Sequence, residues 1–324
     1  MAFTQGRDRV RDNGGVRTIT VEQGGSPTTR WSAATTEPTL ALLDDDVVGY
    51  TEYLEFSAGP VRRREVPTAT SVLIVELGEP ILAAGAVDHG RLRPATAFIG
   101  SPGRGPVETW HAGIQHCIEV RLTMTGVFRL ARKIRHHAGR ILPLTEAWGA
   151  AAQRLPGLLR AAGSAENRFD LLDDLLGSAL ATARPPDPEV RHAWHRLAET
   201  AGGIQIGTLA GEVGWSRGHL AERFRDQTGL TPKATGTLLR FSRAIDLLDA
   251  GQLPLPSIAT LCGYYDQAHL NRDFRAFAGC TPIEWTRAGL TGLVGVGAAA
   301  DRASTPGDRV DIRPIPRDGP AISV

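Results

Sequence analysis

The sequence predicts an α+β multidomain chain: a β-rich N-terminal domain of cupin-like or sandwich type, a helical middle segment and an all-α C-terminal domain. Three observations carry this. Apolar residues alternate with period two between Pro38 and Thr125 and recur every three or four residues after Gly126. A proline-rich break, "RPPDP" at 184–188, separates two helical regions. Two stretches of the last third repeat one another: "GWSRGHLAERFRDQTGLTP" from Gly214 and "GYYDQAHLNRDFRAFAGCTP" from Gly263.

The elements follow in order. Residues 1–35 are rich in Gly, Thr and Arg without sustained periodicity and read as a disordered tail, as do residues 288–324. Within 36–125, "ATSVLIVELGEP" is a buried strand closed by a turn. "IQHCIEVRLTM" sets Ile114, Ile118, Val120, Leu122 and Met124 on one face and Gln115, Glu119, Arg121 and Thr123 on the other. Residues 126–183 form a helical segment packing on that domain, with helices over "VFRLARKI", "TEAWGAAAQRLPGLLRAA" and "RFDLLDDLLGSALATA". The last of these buries Phe169, Leu172, Leu176 and Leu180 on one side. Asp187 before Pro188 is a helix start, and residues 184–287 make the all-α domain.

Bulk composition sets limits. The 324 residues are 42% hydrophobic with a net charge of +1, a soluble globular composition with room for two or three domains. No apolar run approaches the ~18 residues of a membrane span, and the N-terminus lacks a secretory core, so a cytoplasmic location is expected. Cys117, Cys262 and Cys280 show neither CxxC nor Cys/His ligand spacing, which points to reduced, structural thiols.

The repeat carries the functional information. His219, Leu220, Phe224, Gly229, Thr231 and Pro232 correspond to His269, Leu270, Phe274, Gly279, Thr281 and Pro282 at an offset of 50. Upstream, Ala210, Val213 and Gly214 correspond to Ala259, Cys262 and Gly263 at an offset of 49, so one residue is inserted in the second turn. Each copy reads as a short helix with small Ala at its contact, a glycine able to adopt the left-handed conformation, a cap (Ser216 or Asp266), and a second helix with an inward Leu/Phe pair four apart. This is a helix-turn-helix, whose second helix presents its outer face to a DNA major groove. A solenoid is the plainer alternative, but solenoids need three or more units and only two are present. The connecting segment, helical from about Lys233 to Ala250, spans about 27 Å, close to the ~34 Å of one duplex turn.

These residues, together with "GLTP", "RFSRAIDLL", "IATLCGY" and "DQAHLNRDFRAFAGCTP", resemble the DNA-binding domain of the AraC/XylS family of bacterial transcription regulators. The resemblance covers residues 187–287 and implies two helix-turn-helix units joined by a long helix. "YTEYLEFSAGPVRRREVPTATSVLIVELGEP" resembles, less specifically, the N-terminal domain of some actinobacterial members, which implies sensing or assembly by residues 36–125. Double-stranded DNA, RNA polymerase and a small-molecule effector are the partners implied, with transcriptional activation the commoner outcome. No cofactor is expected, and a homodimer is allowed but not required, since one chain carries both reading units.

With Leu220 and Phe224 inward, the first reading helix offers Ser216, Arg217, Gly218, Ala221, Glu222 and Arg225 to DNA. Glu222 can accept from a cytosine amino group, and the arginines can reach a base or a phosphate; a merely solvated face is the alternative. The second offers Gln267, Ala268, Asn271, Arg272 and Arg275. Gln267 or Asn271 suits adenine, Arg272 guanine, Ala268 a thymine methyl, and Arg275 a phosphate. Arg240 and Arg243 read as structural, and His219 and His269 as packing or capping residues. Residues 187–287 hold 11 basic and 11 acidic side chains, so binding rests on local arginine placement and a shallow salt dependence is expected.

Enzymatic alternatives fare worse. His89, His111 and His116 with Glu108 or Glu119 can be assembled into a cupin-like metal site, but the H-x-H spacing is missing and His116 falls on an apolar face. An alkyl-transferring DNA-repair protein needs an activated thiolate, and only Cys117 lies outside the helix-turn-helix units, without a ligand cluster. "DDD" at Asp44–Asp46 and "RRR" at Arg62–Arg64 read as solvated surface. No phosphate loop or nucleophile elbow occurs, and the chain is expected not to be an enzyme.

Overall fold

Period-two alternation becomes antiparallel pairing throughout the first half of the chain. The computed structural model describes residues 9–13, 16–22, 30–43, 45–57, 59–88, 90–101, 103, 105–131 and 138–287. Strands β1 (Arg9–Asn13), β2 (Val16–Glu22), β3 (Arg30–Thr36), β4 (Val47–Phe56), β6 (Ser71–Glu76), β9 (Ala97–Gly100), β11 (Ile114–Leu122) and β12 (Ile141–Pro143) form one sheet in the order β1-β2-β3-β4-β11-β6-β9-β12. Strands β5 (Val61–Glu65), β7 (Ile81–Ala84), β8 (Arg93–Ala95) and β10 (Val107–His111) form a second, in the order β5-β10-β7-β8. Two expectations change here. An unstructured tail was expected over residues 1–35, yet β1 to β3 pair there; the β-branched run Val16, Thr18, Ile19, Thr20 and Val21 supplies the strand propensity that the flanking glycines obscured. The middle segment is not purely helical, because β12 pairs with β9 at the sheet edge. The expected tail over 288–324 lies outside the described residues.

The two faces of the larger sheet have different fates. Tyr50, Leu73, Val75, Ile99, Ile118, Val120 and Leu122 pack under helices α1 (Met124–Leu130), α3 (Ala151–Ala161) and α4 (Ala165–Ala181), where Phe169, Leu172, Leu176 and Leu180 are buried as expected. Gly149, at φ 62°, separates α3 from the short α2 (Leu144–Trp148), so the single helix expected over 145–162 is two. The other face meets the second sheet through Tyr53, Ile74, Phe98 and Cys117. Gln115 and Glu119 of the polar alternation are therefore buried between sheets, Gln115 donating to Glu76 at 2.7 Å.

Buried charges fasten helices to sheet. Arg168 on α4 donates to both carboxylate oxygens of Glu52, and His116 lies 2.8 Å from the same carboxylate. Burial alone would raise the Glu52 carboxyl, yet the hydrogen bonds from Arg168 and His116 hold it at about 2. Asp46, expected on the surface, is fully buried and paired with Arg129; Asp44 and the side chains of Arg63 and Arg64 lie outside the described residues.

The C-terminal helices are α5 (Pro188–Glu199), α6 (Ile206–Glu212), α7 (Arg217–Thr228), α8 (Pro232–Asp249), α9 (Leu255–Leu261), α10 (Gln267–Ala278) and α11 (Pro282–Arg287). They make two cores: Val190, Leu197, Leu209, Leu220 and Phe224 in one, and Phe241, Ile245, Ile258, Leu270, Phe274 and Trp285 in the other. The second core also takes Val66, from the end of β5, and Ala138 packs against it; α1 packs against α7. The β region and the helical region thus share an apolar contact at Val66.

Candidate nucleic-acid interface

The two repeated units share one turn geometry. Gly214 and Gly263 follow α6 and α9 at φ 70° and 73°, a left-handed conformation that favours glycine. In both, the amide three residues beyond the preceding helix returns to its alanine: Trp215 N to Ala210 O and Tyr264 N to Ala259 O, each at 2.9 Å. Ser216 Oγ then accepts from His219 N at 3.2 Å and Asp266 Oδ1 from His269 N at 2.7 Å, so both expected caps are formed. Both reading helices end on left-handed glycines, Gly229 and Gly279.

The inward pairs fix which side faces out. Leu220, Phe224, Leu270 and Phe274 are each 0% exposed. Phe241 of α8 stands edge-on to Phe274 at 5.1 Å and Trp285 at 5.8 Å on another side, so α10 is clamped against α8 and α11. The matched histidines lean on the matched aromatics, His219 on Trp215 at 4.7 Å and His269 on Tyr264 at 5.1 Å. Arg240 donates to Gly202 O at 3.0 Å and lies over the Tyr264 ring, both intramolecular contacts.

Eight of the eleven positions read from the sequence are exposed. On α7, Ser216, Arg217, Gly218, Glu222 and Arg225 are exposed and Ala221 is half-buried. Arg217 lies against α6: a Cβ built on Gly207 would stand 2.5 Å from its Nη2. On α10, Ala268, Arg272 and Arg275 are exposed, while Gln267 and Asn271 are half-buried. Asn271 Oδ1 is buried without a hydrogen-bond partner among the described residues. A bidentate adenine contact from Asn271 therefore needs its amide to rotate outward, whereas Gln267 stands at the helix start.

Charge segregation resolves the near-zero net charge. Glu212 takes Arg196 and His192, Asp187 takes Arg223, Glu284 caps Thr281, and Asp249 accepts from Trp285 Nε1. The side chains of Arg225, Arg272 and Arg275 make no ion pair or hydrogen bond among the described residues. These four carboxylates are held in structural contacts, while the reading faces keep three guanidinium groups without partners among the described residues. Asp187 starts α5 as expected but makes no side-chain cap; it is turned to Arg223. Burial works against its ionised form, but hydrogen bonds from Arg223 and Gln227 hold its carboxyl below the usual range.

The rival metal cluster does not assemble. His116 lies on the helix-facing side with Glu52, His111 points between the sheets toward Glu55 at 3.6 Å, and Glu108 pairs with Arg62. His89 lies outside the described residues, and among the described residues no group of three His, Cys, Asp or Glu side chains is arranged to hold a metal ion. The three cysteines are buried free thiols. Among the described residues no helix is long and apolar enough to cross a membrane.

Comparison with known proteins places the C-terminal region. Residues 209–288 match the family model described as a helix-turn-helix domain. The RCS-specific HTH-type transcriptional activator RclR of Escherichia coli is 33% identical over 94 residues, covering 29% of this chain and 30% of that protein. The HTH-type transcriptional regulator YbfI of Bacillus subtilis is 32% identical over 92 residues, covering 28% and 33%. The chain thus spans about a third of the length of these curated relatives. Among solved structures, ToxT from Vibrio cholerae aligns over 79% of this chain and 96% of its own at 8% identity and a TM-score of 0.42. The matched residues coincide with the paired turns and the two outward helices, so residues 209–288 of this chain are similar to the helix-turn-helix domain family.

Proposed function

We propose that this chain is a sequence-specific DNA-binding transcription regulator of AraC/XylS type, acting in the cytoplasm as an activator rather than as an enzyme. One observation carries the reading: both reading helices are locked inward by a fully buried Leu/Phe pair while the side chains of Arg225, Arg272 and Arg275 stand exposed on the opposite side, unpaired among the described residues. In this reading Arg217, Gly218, Ala221, Glu222 and Arg225 meet one major groove and Gln267, Ala268, Asn271, Arg272 and Arg275 the next, with Ser216 at the groove wall. Residues 184–287 form the reading domain, 36–125 the sensing or assembly domain and 126–183 the helical connection. RNA polymerase is the second partner, and the relative RclR is named as an activator. The Tyr50–Pro80 stretch, spanning β4 to β6, supports a sensor half of the kind found in actinobacterial members.

A small-molecule effector has a place to bind. A cavity of about 640 Å³ opens beside β8, β9 and β12, lined by Phe98 and Ile141 below and by Asp88, Arg93, Arg140 and Glu146 around. Asp88 accepts from Gly85 N at 2.9 Å and lies 3.7 Å from Arg140, and Gly139 abuts Gly103. Neighbouring Gly105 lies against Ala86 and reaches toward the Ala276 carbonyl of α10. Ala86, two positions from the lining residue Asp88, thus lies beside a glycine close to α10, which supports coupling between the cavity and the second reading unit.

Genome-wide mapping of bound sites for the wild-type chain and Arg272→Ala tests the proposal. The wild type is expected to enrich a motif with two elements one helical turn apart, and the variant to lose preference within one element. Uniform coverage by both proteins would overturn the assignment.

A further inference from the structure

Tyr265 is the most exposed large apolar or aromatic side chain of the described residues, at 94%; the next, Ile114 at a strand end, is 62% exposed. It is also the residue inserted in the second unit. In the first unit Trp215 packs on His219 and is followed directly by the cap Ser216; in the second, Tyr264 takes the packing role on His269, and Tyr265 intervenes before the cap Asp266. Asp266 adopts a fully extended backbone, φ −154° and ψ 174°, where Ser216 is at −69° and 155°. The extra residue is thereby pushed outward ahead of α10. Tyr265 makes no hydrogen bond among the described residues.

We propose that Tyr265 donates its hydroxyl to a DNA phosphate at the wall of the groove that α10 enters, giving the second unit a backbone clamp from a residue with no counterpart in the first. The inference rests on the regulator reading above. A reading helix enters the groove with its N-terminal residues, so the turn just before it passes the phosphates that flank the groove. Tyrosine is among the side chains that donate to phosphate oxygens, and such contacts fix register without reading sequence. A turn residue outside the helix is placed for the groove wall, while Gln267 and Ala268, two and three residues further on, are placed for base edges. An exposed ring here also fits a protein partner; proximity to the groove-entering end of a 12-residue helix favours DNA.

The test uses the full chain and a duplex selected by the wild type from a randomised pool. Binding is measured for wild type, Tyr265→Phe and Tyr265→Ala on that duplex, on unrelated duplex, and on a series in which single phosphates are replaced by neutral methylphosphonate. Tyr265→Phe is expected to weaken binding about tenfold, in line with a hydrogen bond to a charged group. The loss should appear on both duplexes and vanish at one methylphosphonate position. Full affinity for Tyr265→Phe would overturn the assignment, as would a changed base preference for Tyr265→Ala. Wild-type DNA affinity in both variants with lost transcriptional output would indicate a protein partner instead and would equally overturn it. Unchanged thermal melting of both variants separates these outcomes from misfolding. A wild-type chain that selects no sequence would overturn the regulator reading itself, and a selecting wild type matched by Tyr265→Phe overturns this inference alone.

Discussion

Arg168 donates from Nε to one carboxylate oxygen of Glu52 and from Nη2 to the other, both at 2.8 Å, and so ties α4 to β4. Both side chains are about nine-tenths buried, and His116 shares the carboxylate. Removing one partner strands the other charge in the interior.

This pair makes stability depend on pH in a definite direction. The folded-state pKa of Glu52, about 2, lies below its ordinary 4.5, so the unfolded chain binds the proton more readily. The contribution is fully present above about 4.5 and is lost as pH falls toward 2. Glu52→Gln is expected to cost about 3 kcal/mol near neutrality, measured by urea unfolding. The gap between wild type and variant should narrow as pH falls from 4.5 to 2; a gap that stays constant over that window would refute the pairing.

Gly207 and Arg217 form a second dependent pair. A methyl group at 207 would meet only the far end of the Arg217 side chain. Alanine also suits a helix better than glycine by about 0.5–1 kcal/mol. Gly207→Ala is therefore expected to leave thermal stability unchanged or slightly raised while displacing the guanidinium. In a double-mutant cycle read by DNA affinity, Gly207→Ala and Arg217→Ala should be non-additive. Strict additivity would show that Arg217 does not reach DNA from its place over α6.

The salt dependence of binding follows from the unpaired arginines. With Arg272 on a base, two to three phosphate contacts from Arg217, Arg225 and Arg275 give a slope of log affinity against log salt of about −2 to −3. Fluorescence anisotropy over a salt series checks this. A slope near −10 would mean a much larger basic surface than the reading faces supply.

The reading units were legible in the sequence because the signal is internal: the same anchors, glycines and caps occur twice at matched spacing. Leu220, Phe224, Leu270 and Phe274 are buried where that register puts them, which turns Arg225, Arg272 and Arg275 outward. The sheets were less legible. Alternation showed that β11 has two faces but not that Gln115 and Glu119 face a second sheet, because polar residues at alternate positions look alike whether they meet water or buried partners. Asp46 was misjudged for the same reason: a run of three aspartates gives no hint that Arg129 reaches its third member from a helix about eighty positions on. Tyr265 escaped the comparison of repeats because it has no counterpart in the first unit. Exposure, not alignment, singles it out.

The central claim is that α8, about 27 Å long, holds α7 and α10 toward successive major grooves on one face of a duplex. Hydroxyl-radical footprinting of the full chain on its selected duplex measures this directly. Two protected windows centred about ten base pairs apart on the same face are predicted. A single window, or two windows on opposite faces, would contradict it.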